Sequence, residues 1–90
     1  MLFKDLVDKY KLDRQCLNDS VMSFIFKNLK NFDDSNFIIK LDNERHENKF
    51  TLVITILSKD LVYRKDTSSY EEALSEALIY IHNNDLIIDL

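Results

Sequence analysis

A chain of 90 residues with net charge −4 and neither glycine nor proline can build one core, provided that every element buries a face in it. The absence of glycine excludes glycine-rich phosphate loops, the dinucleotide fingerprint and the nucleophile elbow. No apolar run approaches the roughly 20 residues of a membrane helix, so no membrane association is expected.

Without glycine, left-handed turn positions are expected to fall to Asn or Asp. The single cysteine, Cys16, has no partner for an internal disulfide, and a buried or half-buried inert thiol is expected. Met1–Asp5 lacks the layout of a signal peptide, and the expected location is cytoplasmic. Residues 1–90 read as a single compact α+β domain. The bias toward Lys, Asn, Ile and Phe, with two alanines and three arginines, is what an AT-rich genome encodes.

Residues 2–11 carry Leu2, Phe3, Leu6, Val7 and Tyr10 at helical spacing, which predicts a short amphipathic helix. Asp13 then reads as an N-cap, with Leu12 and Leu17 placed as a hydrophobic staple. A second helix over about 14–30 has Leu17, Val21, Phe24, Ile25, Leu29 and Phe32 along one stripe. Met22 and Phe26 lie off that stripe.

Phe37–Asp42 alternates, with Phe37, Ile39 and Leu41 inward. Phe50–Leu57 is β-branched and free of charge, glycine and proline, as a central strand would be. Its residues Phe50, Leu52, Ile54 and Ile56 share the apolar face. Pairing Asp42 with Lys49 aligns Leu41, Ile39 and Phe37 with Phe50, Leu52 and Ile54, and predicts a salt pair closing the hairpin. A third strand, Leu61–Asp66, follows a turn at Ser58–Asp60. An even-numbered loop is required, because an odd one would bring Arg64 to the core face. Tyr63 is then expected beside Ile56.

Thr67–Glu72 holds a capping box, Ser69 with Glu72 or Ser68 with Glu71, at the start of a C-terminal helix. Tyr70, Ala73, Leu74, Ala77, Leu78 and Ile81 form its stripe, and Asn83–Asn84 its left-handed stop. Asp85–Leu90 is expected as a short strand on a sheet edge. Three strands spaced about 4.8 Å apart seat two helices about 10 Å across. The second and last helices take those seats, and the first is left to an edge or outer layer against Met22, Phe26 and Ile79. The fold class is therefore α+β: two N-terminal helices, a three-stranded antiparallel meander, a C-terminal helix packed on the sheet and a possible terminal strand.

Little in the sequence points to catalysis. His46 lies in a charged loop and His82 ends a helix as a solvated residue, neither with a partner at diagnostic spacing. One cysteine and two distant histidines lack any zinc spacing, and no EF-hand pattern occurs. The expectation is a non-enzymatic protein with no catalytic residues, no metal and no cofactor.

Charge is unevenly spread. From Thr67 to Leu90 there are five acids and no Lys or Arg, against twelve bases and eleven acids before it. The order helix, three strands, helix resembles the double-stranded-RNA-binding domain, which sets lysines at the start of its last helix to grip phosphates. Here Glu71 and Glu72 occupy that stretch with the opposite sign, so direct nucleic-acid binding is disfavoured. The expected partner-binding residues are instead Glu71, Glu72, Glu76, Asp85 and Asp89, carboxylates that imitate phosphates in a partner protein's basic groove. A second expected surface is the other sheet face, Ile38, Val53, Leu57 and Val62, to be covered by the first helix, used by a partner or used for a homodimer. In size and charge the chain is similar to some anti-CRISPR proteins. That analogy implies a phage or mobile-element inhibitor of a host nucleic-acid-handling enzyme. The alternative is a nucleic-acid-binding accessory domain using Lys27, Lys30, Lys59, Arg64 and Lys65 as a basic strip.

Overall fold

The computed structural model describes residues 2–90. Helices α1 (Phe3–Lys9) and α2 (Leu17–Leu29) are followed by strands β1 (Ser35–Leu41), β2 (Phe50–Ile56) and β3 (Leu61–Thr67), then by helix α3 (Tyr70–Asn83). The strands form one antiparallel sheet in the order β1-β2-β3, so the architecture is the expected α+β arrangement. The central strand owes its place to composition. Leu52, Ile54 and Ile56 are fully buried beneath the helices, where β-branched side chains pack well on the pleat.

The β1–β2 register is the one that alternation requires, with Leu41, Ile39 and Phe37 opposite Phe50, Leu52 and Ile54. The hairpin closes differently. Asp42 N–H donates to the Lys49 carbonyl at 2.7 Å, but the Asp42 carboxylate pairs with Arg45 at 3.3 Å. Lys49 Nζ instead donates to Asn43 Oδ1 at 3.2 Å. Leu41, expected inward, is exposed at the end of the edge strand, outside the core cluster.

On the other side of β2 the parity holds but the offset differs by two residues. Tyr63 faces Ile54 and Leu61 faces Ile56. Leu57–Lys59 coils into a 3-10 turn and Asp60 takes the left-handed conformation, φ 56°. The four-residue link therefore consumes Leu57, which the sequence pattern had left in the strand. Tyr63 then stacks on Tyr80 of α3, centroids 4.2 Å apart and 14° between planes.

The helix ends follow their capping chemistry. Asp13 accepts Gln15 N–H at 2.9 Å and opens a 3-10 turn, Arg14–Cys16, before α2 proper. Ser69 Oγ accepts Glu72 N–H at 3.0 Å. The Glu72 carboxylate reaches back to Ser68, accepting from Oγ at 2.5 Å and N–H at 3.3 Å. The stop of α3 falls one residue later than expected. Asp85 is left-handed, its N–H donating to the His82 carbonyl and Leu86 N–H to the Ile81 carbonyl, which is the Schellman arrangement. Helix α1 ends the same way, with Lys11 left-handed at φ 55°, although Asn or Asp was expected there.

Two placements differ from expectation. Helix α1 packs against α3, burying Leu6 and Val7, and does not use Phe26 as a seat. Tyr10 lies 5.0 Å from Phe24 between ring centroids, and its hydroxyl shares a 2.7 Å hydrogen bond with His82 Nδ1. His82 is thus half-buried and partnered, not merely solvated. Phe26, left uncovered, meets Phe37 edge-on at 5.4 Å.

Residues 86–90 form no strand. Leu86 is fully buried in the core. Beyond it the chain is held on α2 by Asn28, whose Oδ1 accepts the N–H groups of Ile88 and Asp89 at 2.7 and 2.8 Å. Asn28 Nδ2 donates to the Phe24 carbonyl at 2.9 Å. A fully buried amide satisfied in this way offers the tail's backbone partners that a sheet edge would otherwise supply.

Candidate interaction surface

Packing of the helices on one side leaves the other side of the sheet without a covering element. The paired registers place its side chains in three rows: Asn36–Thr55–Val62, Ile38–Val53–Arg64 and Lys40–Thr51–Asp66. Ile38 is 50% exposed, Val62 73%, and Leu57, in the turn after β2, 66%. Val53 is half-buried between Ile38 and Arg64. The four residues read from the sequence as an apolar surface thus lie along this face and the turn after β2, and no helix covers them.

The third row is organised by Arg45, a residue that the sequence pattern did not single out. From the β1–β2 loop its Nη1 donates to Thr51 Oγ1 at 3.0 Å and to the Asn48 carbonyl at 3.1 Å. It also pairs with Asp66 at 3.1 Å and, through Nε, with Asp42. Thr51 is buried as a result, and its hydroxyl donates to Asp66 Oδ1 at 2.8 Å. That bond, with Arg45 and Arg64 beside it, holds the Asp66 carboxyl below the ordinary aspartate range, against an opposing desolvation. One end of the open face is therefore a closed polar network, and the other end is apolar.

The five carboxylates do not form one row. Glu71, Glu72 and Glu76 lie near the start of α3, while Asp85 and Asp89 follow its end, roughly 20 Å away along a helix of this length. Four of them have partners within the chain. Glu71 accepts from Asn18 Nδ2 at 3.1 Å and Asp89 from Asn31 Nδ2 at 3.0 Å. Glu76 pairs with Lys65 at 3.4 Å. The Ser68 hydroxyl, then its N–H, lower the Glu72 carboxyl from its ordinary range. Burial, and beyond it Glu76, push the Tyr63 hydroxyl up.

The basic strip also divides. Lys27 and Lys30 lie at the end of α2, and Lys59 sits 5.5 Å over the Phe32 ring at that same corner. Arg64 lies on the open face, whereas Lys65 points to the helical side, where Glu76 meets it. Cys16, expected to be at least half-buried, is exposed, because it sits at the junction of the 3-10 turn and α2. Among the described residues no three His, Cys, Asp or Glu side chains converge as a metal site would require. No described helix is long and apolar enough to cross a membrane. No protein-family model, curated protein or solved structure matches the chain.

Proposed function

We propose that this chain is a small acidic, non-enzymatic protein-binding module, and that it docks a partner protein on the helix-free face of its sheet. The observation that carries the reading is the one-sided placement of the helices, which leaves Ile38, Leu57 and Val62 exposed and Val53 half-buried beside a rim of both signs, Lys40, Arg64 and Asp66. An apolar centre with a polar rim is the usual anatomy of a protein contact. A face of three seven-residue strands, about 14 Å wide and about 23 Å long, covers roughly 320 Å², well short of the roughly 800 Å² per partner of a standard interface. The partner contact is accordingly transient or extends past the sheet.

The finer reading, an inhibitor of a nucleic-acid-handling enzyme that presents carboxylates as phosphates, draws support only from Glu71, Glu72 and Glu76, which lie in the N-terminal half of α3. Affinity capture with three baits separates the two. The wild type and a Glu71→Gln/Glu76→Gln variant are expected to retain the same partner, and an Ile38→Lys/Val62→Lys variant to lose it. Loss with the carboxamide variant alone would favour phosphate imitation. Retention by all three would overturn both.

A further inference from the structure

The two free edges of the sheet are unlike. Asp42 N–H bonds to the Lys49 carbonyl, so in the antiparallel ladder Lys40, Ile38 and Asn36 also bond to β2. Phe37, Ile39 and Leu41 therefore turn their N–H and C=O groups outward on β1. By the same alternation Val62, Arg64 and Asp66 do so on β3. Natural sheets guard such edges with charge, proline or bulges. The β3 edge has its guard, since two of its outward residues, Arg64 and Asp66, are charged. The β1 edge has none at its outward positions. It pairs without a bulge over Ser35–Leu41; Ser35, at its start, is engaged by the Phe32 and Leu29 carbonyls, and the three outward residues after it are all apolar, with Leu41 57% exposed.

Beside that edge lies a groove of about 440 Å³ between α2 and β1, lined by Phe26, Lys27, Leu29, Lys30, Ser35 and Phe37. Its floor is apolar, with Phe26 52% exposed. Its lining has two bases and no acid. Lys27 reaches the Leu90 carbonyl at 2.9 Å. Lys30 on the rim and Lys40 on β1's opposite face have no ion-pair partner among the described residues. The C-terminal segment, held by Asn28 and Asn31, meets the groove only at Lys27 and contributes no residue to its lining.

From the open edge, the apolar groove and the unmatched positive charge we infer that β1 accepts an extended acidic segment of a partner protein as a fourth strand. Strand addition obtains affinity from the backbone and specificity from alternate side chains. Here the apolar set of side chains lies on the helical side against Phe26 and Phe37, with Lys30 at the rim, and the acidic set lies on the open side beside Lys40. This site shares only Lys40 with the open face, and Phe26 and Phe37, which belong to the groove alone, let the two be tested separately.

The probe is a blocked hexapeptide alternating Glu with Val or Ile, titrated into the intact chain and followed by amide NMR. The same peptide with Lys for Glu is the control. Binding of the Glu peptide should shift the Phe37, Ile39 and Leu41 amides and slow their hydrogen exchange, and the Lys peptide should bind more weakly. Phe26→Ala, at an exposed position, should weaken binding about tenfold, as loss of an interface anchor does. Lys30→Glu/Lys40→Glu should weaken it about threefold to tenfold and reverse the preference between the peptides. Three results would overturn the assignment. They are an absence of shifts at these amides at millimolar peptide, equal binding of both peptides, or shifts that follow protein concentration alone, the mark of β1–β1 pairing between copies.

Discussion

The two faces of this sheet share one central strand and have opposite fates. On the helical side Leu52, Ile54 and Ile56 are sealed by α2, α3 and the returning tail. On the other side Val53 and Thr55, their neighbours in sequence, sit among Ile38, Val62 and Arg64 with no layer above them. Composition alone does not separate the faces, because β-branched residues occur on both. What separates them is that every amphipathic helix in the chain is spent on one side. Stability is thus concentrated on the helical side, and the open side is free to vary or to bind.

The largest expected contrast comes from adjacent residues. Ile54→Ala removes a buried side chain held between Phe37 and Tyr63, and should destabilise by about 2–5 kcal/mol. Val53→Ala, one residue away on the half-buried face, should cost under about 1 kcal/mol. Urea unfolding of both variants measures the difference, and similar losses would mean that the open face is covered in solution. Next in size is Asn28→Ala. It strips two tail N–H groups of their acceptor and the Phe24 carbonyl of a donor, for a loss of about 1–3 kcal/mol. Faster exchange at the Ile88 and Asp89 amides should accompany it, with the β1–β2 amides unaffected at the same temperature.

Asn28 also marks where the sequence stops being legible. The β1–β2 register followed from alternation, and the start of α3 from a serine three residues before a glutamate, since both are local patterns with one good solution. A polar residue in mid-helix has no such unique solution. Asn28 reads as a solvent position until the tail is known to come back to it, so Ile87 and Ile88 read as part of a strand. The β3 offset was out of reach for a related reason. Parity is set by which face is apolar, but whether Leu57 belongs to the strand or the turn depends on Asp60 accepting a left-handed conformation. At the open face, Ile38, Val53 and Val62 were legible from alternation. Arg45 was not, because its partners Thr51 and Asp66 are brought to it only by pairing across three strands.

That network supplies a smaller effect, with a definite pH signature. The Asp66 carboxyl is held below its unfolded range in the native state. It therefore contributes stability that is present above the ordinary aspartate pKa, about 4, and is lost as pH falls through the lowered native value. Asp66→Asn should lower stability at pH 7 and flatten the fall in urea midpoint between about pH 5 and pH 2. Glu72, lowered through Ser68, retains its own share of that fall. A slope unchanged in the Asn variant would place the acid sensitivity elsewhere.

The smallest expected change in stability is the most informative about function. Ile38→Thr/Val62→Thr keeps β-branched side chains on the pleat, so strand preference is preserved while the apolar surface is cut. Both side chains are at least half in water, so little burial is lost and the double variant should stay within about 0.5 kcal/mol of the wild type. Partner capture should nonetheless fall, because the face loses its apolar centre. If stability instead drops by more than about 1 kcal/mol, and by an amount that grows with protein concentration, mass action identifies the missing layer as a second copy of the chain. In that case a homodimer fills the face, and the edge of β1 is the surface left for a partner.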